Sequence, residues 1–234
     1  MASNYSPTIV TDGLVFAVDA ADKNSYPGSG ATWSDLSGNG YDGTIDGATF
    51  STDGGGSLDF NGSSNDVDVG SNYILKSEGG WTIESWVKAD ATAAGPYNFT
   101  GHDTYHTVMW YWCVLGSKLA IWNRDPGGWY YGSTTLSTGV WMHCVCVSEN
   151  AAGTSYQMYL NGVIEGGTCA SYTFNGAGDY KNLEFQFIAS AAGVGSSYPR
   201  LWNGKYAINR IYTKALSAKE VSQNFNAQRS RFGV

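Results

Sequence analysis

Two glutamates, Glu84 and Glu184, lie in strand-like runs. A pair of carboxylates flanking a glycosidic bond is the chemistry of sugar hydrolysis, one acting as nucleophile or base and the other as acid. On a strand, spacing of two would place such a pair on one face. Neither glutamate has that partner: Glu84 is followed by Ser85 and Trp86, and two positions after Glu184 stands Gln186. The histidines are His102, His106 and His143, and no Gly-x-Ser-x-Gly elbow occurs. His143 and Cys144 are adjacent in a strand-like run, so their side chains point to opposite faces. These patterns disfavour an enzyme.

Metal chemistry is weakly signalled. Asp19, Asp22 and Asn24 form an oxygen-rich group after an apolar run, of the type a hard cation would use. A turn held by local hydrogen bonds is the preferred reading. His102, Asp103 and His106 sit in a loop-like stretch with spacing too loose to specify a transition-metal site. The four cysteines, Cys113, Cys144, Cys146 and Cys169, include no Cys-x-x-Cys. Cys144 and Cys146 share one strand face and are expected as buried free thiols.

Binding chemistry is better represented. Trp110, Trp112, Trp122, Trp129, Tyr130 and Tyr131 are interleaved with Asn123, Arg124 and Asp125. Alternation puts Trp110 and Trp112 on one face, expected to be core. The run from Asn123 to Trp129 reads as a turn-rich loop carrying a tryptophan, and loops often carry function. Asn123, Arg124, Asp125, Trp129, Tyr130 and Tyr131 are therefore the candidate ligand- or partner-binding residues. Aromatic faces beside amide, carboxylate and guanidinium groups suit sugars, and they equally suit a protein interface.

The elements that must position these residues are mostly strands. The 234 residues include 31 glycines and 5 prolines, with 15% aromatic and 14% charged residues. Many short strands joined by Gly/Asn/Asp/Ser turns give this balance. Strands are expected at 14–19, 57–60, 66–69, 81–88, 108–115, 118–122, 141–148, 155–160, 163–164, 183–189 and 206–212. The segment 22–47 reads as polar and turn-rich. In the strand 81–88, Trp81, Ile83 and Val87 face one way, and Glu84 and Lys88 the other. Gly116-Ser117 and Asn161-Gly162 are two-residue hairpin signals. Ser217-Ala218-Lys219-Glu220 is a capping box, with Leu216 and Val221 as its hydrophobic staple and Phe225 continuing the stripe. The organisation expected is one domain, 1–234, with an N-terminal arm at 1–12 and a mildly basic C-terminal tail at 226–234. Its fold class is all-β, two stacked antiparallel sheets with one short C-terminal helix.

A formal net charge of -7 argues against nucleic acid or an anionic membrane surface as partner. No run approaches the length of a membrane span, and the N-terminus has no basic or apolar segment of a secretory signal. Synthesis in the cytoplasm is the expectation.

Three segments resemble the laminin-G-like, concanavalin A-like family: 13–46 with its Trp-Ser-Asp-Leu-Ser-Gly-Asn-Gly core at Trp33–Gly40; Ser57–Asn61 with Trp81–Val87; and Tyr156–Gly162 with Gly204–Tyr212 and Lys214–Val221. This resemblance implies a jelly-roll sandwich. The family's enzymes carry Glu-x-Asp-x-Glu, which is missing. Related domains that hold calcium often place an Asp after the Gly-x-Ile of the final strand. Here Gly204-Lys205-Tyr206 is followed by Ala207, which weakens calcium, so no cofactor is expected. In the Trp33–Gly40 loop, Trp33 and Leu36 are expected to fold onto the core, with Asp35 and Ser37 bonding local amides. The ending, Val221–Gln228 with Arg231–Gly233, is similar to the C-termini of structural proteins of tailed, marine myovirus-like bacteriophages. That likeness implies a non-enzymatic virion protein, a capsid decoration, fibre or appendage component. It would be assembled in host cytoplasm, contact other virion proteins and sit on the particle, with homo-oligomerisation open. The alternative is a carbohydrate-binding adhesin module for host surface glycans.

Overall fold

Alternation of apolar and polar residues with a period of two builds a sheet that buries one face, and two such faces make a sandwich. The computed structural model describes residues 8–75, 79–92, 97–104, 108–123, 128–149, 155–166, 168–169, 183–190 and 200–234. In chain order the strands are β1 Leu14–Asp19, β2 Thr32–Trp33, β3 Gly43–Asp46, β4 Thr49–Ser51, β5 Ser57–Asn61, β6 Asp66–Leu75, β7 Trp81–Ala89, β8 Tyr97–Thr104 and β9 Val108–Leu115. They continue as β10 Lys118–Asn123, β11 Gly128–Tyr131, β12 Trp141–Ser148, β13 Tyr156–Leu160, β14 Val163–Glu165, β15 Thr168–Cys169, β16 Leu183–Ile188 and β17 Asn203–Tyr212, before the helix α1 Ala218–Phe232. One sheet has the order β14-β13-β12-β7-β17-β5-β4, with β1 also paired to β17. The other runs β15-β11-β10-β9-β8-β16-β6-β3-β2. Every pairing is antiparallel, as the sequence predicts (β7 with β12 and β17, for example).

The inner faces make one core. Trp81, Ile83 and Val87 of β7 meet Trp110, Trp112 and Val114 of β9, with Cys144 and Cys146 of β12 among them. The predicted core pair Trp110 and Trp112 is thus inside, as are the two thiols, which are free. Both hairpin signals hold. Gly116 and Ser117 have φ of 57° and 60°, and Asn161 and Gly162 have 51° and 75°, the left-handed pair a tight type I′ turn needs. Gly162 has a second reason to be glycine: a Cβ there would come within 2.8 Å of the Phe225 ring.

Four expectations are corrected. The segment 22–47 supplies β2 at the sheet edge and β3 between β2 and β6, because short strands need little apolar sequence when a neighbour templates them. Leu36 is 40% exposed rather than folded onto the core. Its amide is committed to the Ala17 carbonyl (2.7 Å), which turns the side chain outward, while Trp33 is fully buried. The tail expected from 226 is the second half of α1, closed by Gly233 in a left-handed C-cap. Phe232 gives it an apolar anchor, and Arg231 donates to the carbonyls of Gly54 and Gly56 and to both Asp19 oxygens. Finally, Trp129, expected at the end of a loop, stands on strand β11 with Tyr130 and Tyr131.

The capping box at Ser217 forms as expected, and Leu216 and Val221 pack together. Helix α1 lies over the outer face of the β7–β12–β17 sheet. There Phe225 and Phe232 stack on Trp86, with centroids 5.9 and 4.1 Å away.

Candidate functional site

The two sheets differ in what lies on their outer faces, and that difference decides where chemistry can occur. Under α1, Glu84, His143, Arg210, Tyr212 and Asn224 form a buried polar network. Arg210 Nη1 donates to Glu84 Oε1 (2.7 Å) and Asn224 Nδ2 to Glu84 Oε2 (2.6 Å). His143 Nε2 lies 3.2 Å from Glu84 Oε1, within ion-pair distance but not aligned as a hydrogen bond. Asn224 Oδ1 accepts from the Val10 amide, and the Tyr212 hydroxyl donates to the Val10 carbonyl, so the N-terminal arm is tied in. Burial opposes the charge on Glu84, but Arg210, His143 and Asn224 outweigh it and hold the carboxyl down at about 2. A carboxylate fixed ionised, with both oxygens engaged and no exposure, is a structural clasp. Glu84 is therefore placed where a substrate cannot reach it. The side chains of Glu184 and His102, and all of His106, lie outside the described residues.

The oxygen-rich turn is likewise occupied. Asp19 accepts from the Ala21 amide and from Arg231, and Asp22 from the amide and side chain of Asn24. Ala207 is buried beneath α1 with Trp86 and Ile208. Among the described residues, no three His, Cys, Asp or Glu side chains converge on a metal-sized space.

The outer face of the second sheet is different. Register places Tyr111 of β9, Trp122 of β10 and Trp129 of β11 directly across from one another. Directly paired residues share a face, so the three rings form one cross-strand row. Tyr111 and Trp122 stack at 5.1 Å with planes 18° apart, and Trp122 and Trp129 follow at 6.3 Å. Tyr131, two residues along β11, stacks on Trp129 at 6.1 Å. Trp122, Trp129 and Tyr131 are only half-buried, whereas Tyr111 is covered. Tyr130 points the opposite way: it packs edge-on against Tyr156 at 4.7 Å, inside the sandwich. Of the six residues singled out from sequence, Trp129 and Tyr131 therefore lie in this surface, and Tyr130 is core. Asn123 ends β10 with its side chain outside the described residues, as are Arg124 and Asp125 altogether.

The sequence reading missed four contributors. Tyr111 and Trp122 are two, although alternation with Trp110 and Trp112 already implied that Tyr111 faces outward. Arg200 and Asn98 are the others. The Arg200 guanidinium sits 4.0 Å over the Tyr111 ring, a cation–π contact. The Asn98 amide donates to the Arg200 carbonyl (3.1 Å), and Asn98 pairs with Cys113, which shares the outer face with Tyr111. Burial pushes the Cys113 thiol up, and the nearby Arg200 charge works against that rise. The arrangement is an aromatic shelf with a cationic corner, able to hold flat, hydroxyl-bearing faces.

Comparison with known proteins gives the same frame. A family model described as the concanavalin A-like lectin/glucanases superfamily matches residues 60–222. No curated protein matches the sequence. Among solved structures, domain 4 of AbnA, a GH43 extracellular arabinanase from Geobacillus stearothermophilus, in complex with arabinotriose, is 18% identical with a TM-score of 0.65, covering 90% of this chain and 97% of that one. The binding domain of Paraclostridial Mosquitocidal Protein 1 is 16% identical with a TM-score of 0.67, over 93% of this chain and 52% of that one. Trypanosoma rangeli sialidase is 16% identical with a TM-score of 0.65; the match covers 98% of this chain but only 36% of the sialidase. At such identities these likenesses speak to fold. Two antiparallel sheets sealed by a C-terminal helix, matched by a family model over most of the sequence, place the chain in the concanavalin A-like lectin/glucanase superfamily.

Proposed function

We propose that this chain is a non-catalytic glycan-binding module, with the outer aromatic row of the β9–β10–β11 sheet as its contact surface. The observation that carries this reading is the cross-strand alignment of Tyr111, Trp122 and Trp129, extended by Tyr131, with Trp122, Trp129 and Tyr131 half-buried rather than covered. Large rigid rings supply contact area at low entropic cost, and every sugar ring has an apolar C–H face to lay on them. That the arabinanase domain is recorded with arabinotriose supports the class of ligand, not its identity. The engaged state of Glu84 supports a module without hydrolytic activity. The test is binding to an oligosaccharide array, repeated with Trp122→Ala and Trp129→Ala. Saturable binding weakened about tenfold or more by either change, about 1.4 kcal/mol, is expected. Binding unaffected by both would remove this surface from consideration.

A second reading concerns where the module works. The likeness of the Trp33–Gly40 core to the family's bacterial and phage branch, and of Val221–Gln228 with Arg231–Gly233 to the C-termini of structural proteins of tailed phages, favours display on a virion, with neighbouring virion proteins as partners and host cytoplasm as the place of assembly. In the structure both segments are scaffold: Asp35 accepts from the amides of Ala17, Ser37 and Tyr41, and Arg231 pins α1. Immunogold labelling of intact particles tests this reading; regular label on head or tail is expected, and its absence from particles would point to a free or cell-associated protein.

A further inference from the structure

Arg200 is the unusual member of the surface. It holds a left-handed backbone, φ of 50°, which non-glycine residues adopt rarely and at some cost. It forms no ion pair among the described residues, and its Nη1 is buried with no hydrogen-bond partner. The Asn98 side chain is fully buried, and neither its oxygen nor its nitrogen has a partner. Native interiors seldom leave such groups unsatisfied, least of all a charge, because their lost hydration is not replaced. The two lie together: the Asn98 amide bonds the Arg200 carbonyl, and both side chains flank the Tyr111–Cys113 segment of β9. Stacking on Tyr111 fixes the guanidinium plane but satisfies none of its N–H donors.

We propose that the half-buried Arg200 forms an anion-recognising end of the aromatic surface, so that the preferred ligand is an acidic glycan whose sugar carries a carboxylate. The inference rests on the glycan-binding reading above. A carboxylate offers the two acceptor oxygens that a guanidinium fork prefers. The adjoining rings of Trp122 and Trp129 take neighbouring sugar faces, which a lone anion would leave unused. The overall charge of -7 does not oppose this. Repulsion from distant surface carboxylates is screened beyond about 8 Å at physiological salt, whereas a desolvated local pair is not.

Isothermal titration of the whole chain with a panel of uronate oligosaccharides (galacturonate, glucuronate and mannuronate series), each beside its methyl ester, tests the proposal. The acid form of at least one series is expected to bind about tenfold or more tightly than its ester, the scale of one charge-assisted hydrogen bond. Arg200→Asn, which tolerates the left-handed backbone, should bring acid binding down to the level of the ester. If acid and ester bind alike and Trp122→Ala abolishes both, the glycan surface stands and its acidic preference falls. If acid forms bind but Trp122→Ala leaves them untouched, or no acid form binds, the proposal falls outright.

Discussion

Adjacent residues of β11 do opposite jobs. Trp129 lies on the outer shelf and Tyr130 inside the sandwich, edge-on to Tyr156. Trp129→Ala should therefore leave the melting temperature nearly unchanged while weakening ligand contact. Tyr130→Ala should cost stability of about 3 kcal/mol, the range for removing a large aromatic from a core. Thermal melts of the two variants check this directly; a large loss for Trp129→Ala would place that ring in the core. Glu84 carries the clearest pH dependence. Its carboxyl is held at about 2 against an ordinary 4.5, so the folded state binds the proton less readily than the unfolded state. The stability it contributes is fully present above about pH 4.5 and is lost as pH falls towards 2. Denaturant unfolding between pH 6 and about pH 2 should show this acid limb, and Glu84→Gln should flatten it. Because that change leaves Arg210 buried without its counter-charge, it should also lower stability at neutral pH, by about 3 kcal/mol or more.

At the scale of the element, α1 is the seal of one sheet. Its first turn is fixed by Ser217, whose hydroxyl accepts from the Glu220 amide while the Glu220 carboxylate accepts from the Ser217 amide. Lys214 adds an ion pair to Glu220 at 2.9 Å. Ser217→Ala should destabilise the chain by about 1 kcal/mol, read as a lower denaturant midpoint with unchanged slope. An unchanged midpoint would mean that the cap is carried by packing of Leu216 and Val221 alone. The last turn is held through Arg231 and Asp19. This explains why the oxygen-rich turn is a poor cation site: its best carboxylate already has a guanidinium on both oxygens. Removing divalent ions with a chelator should accordingly leave the melting temperature unchanged, and a drop of several degrees would show a metal held elsewhere.

For the whole molecule, the asymmetry between the two outer faces organises function. One face is closed by α1 and by the N-terminal arm through Val10, with titratable groups buried beneath. The other carries an aromatic row in register across three strands, half-exposed at Trp122, Trp129 and Tyr131. On the proposed glycan-binding reading, variants that weaken ligand contact and variants that weaken folding should map to opposite faces.

Much of this was legible from sequence. Period-two alternation in Trp81–Lys88 and Trp110–Trp112 predicted which residues form the core, because a strand leaves no other choice of face. The Gly116-Ser117 and Asn161-Gly162 turns and the Ser217 capping box were likewise local, set by backbone geometry and hydrogen bonds within a few residues. The short strands β2 and β3 were not, since neighbours rather than propensity stabilise them. Nor did the sequence indicate that β11 continues the sheet, which moves Trp129 from a loop to a shelf and turns Tyr130 inward. The site itself is a product of register. Tyr111, Trp122 and Trp129 become neighbours only when three strands align, and Arg200 reaches Tyr111 across 89 positions of chain. Local rules determined the sheets and their faces; only long-range pairing decided which side chains share a surface, because that depends on how strands far apart in sequence come to lie side by side.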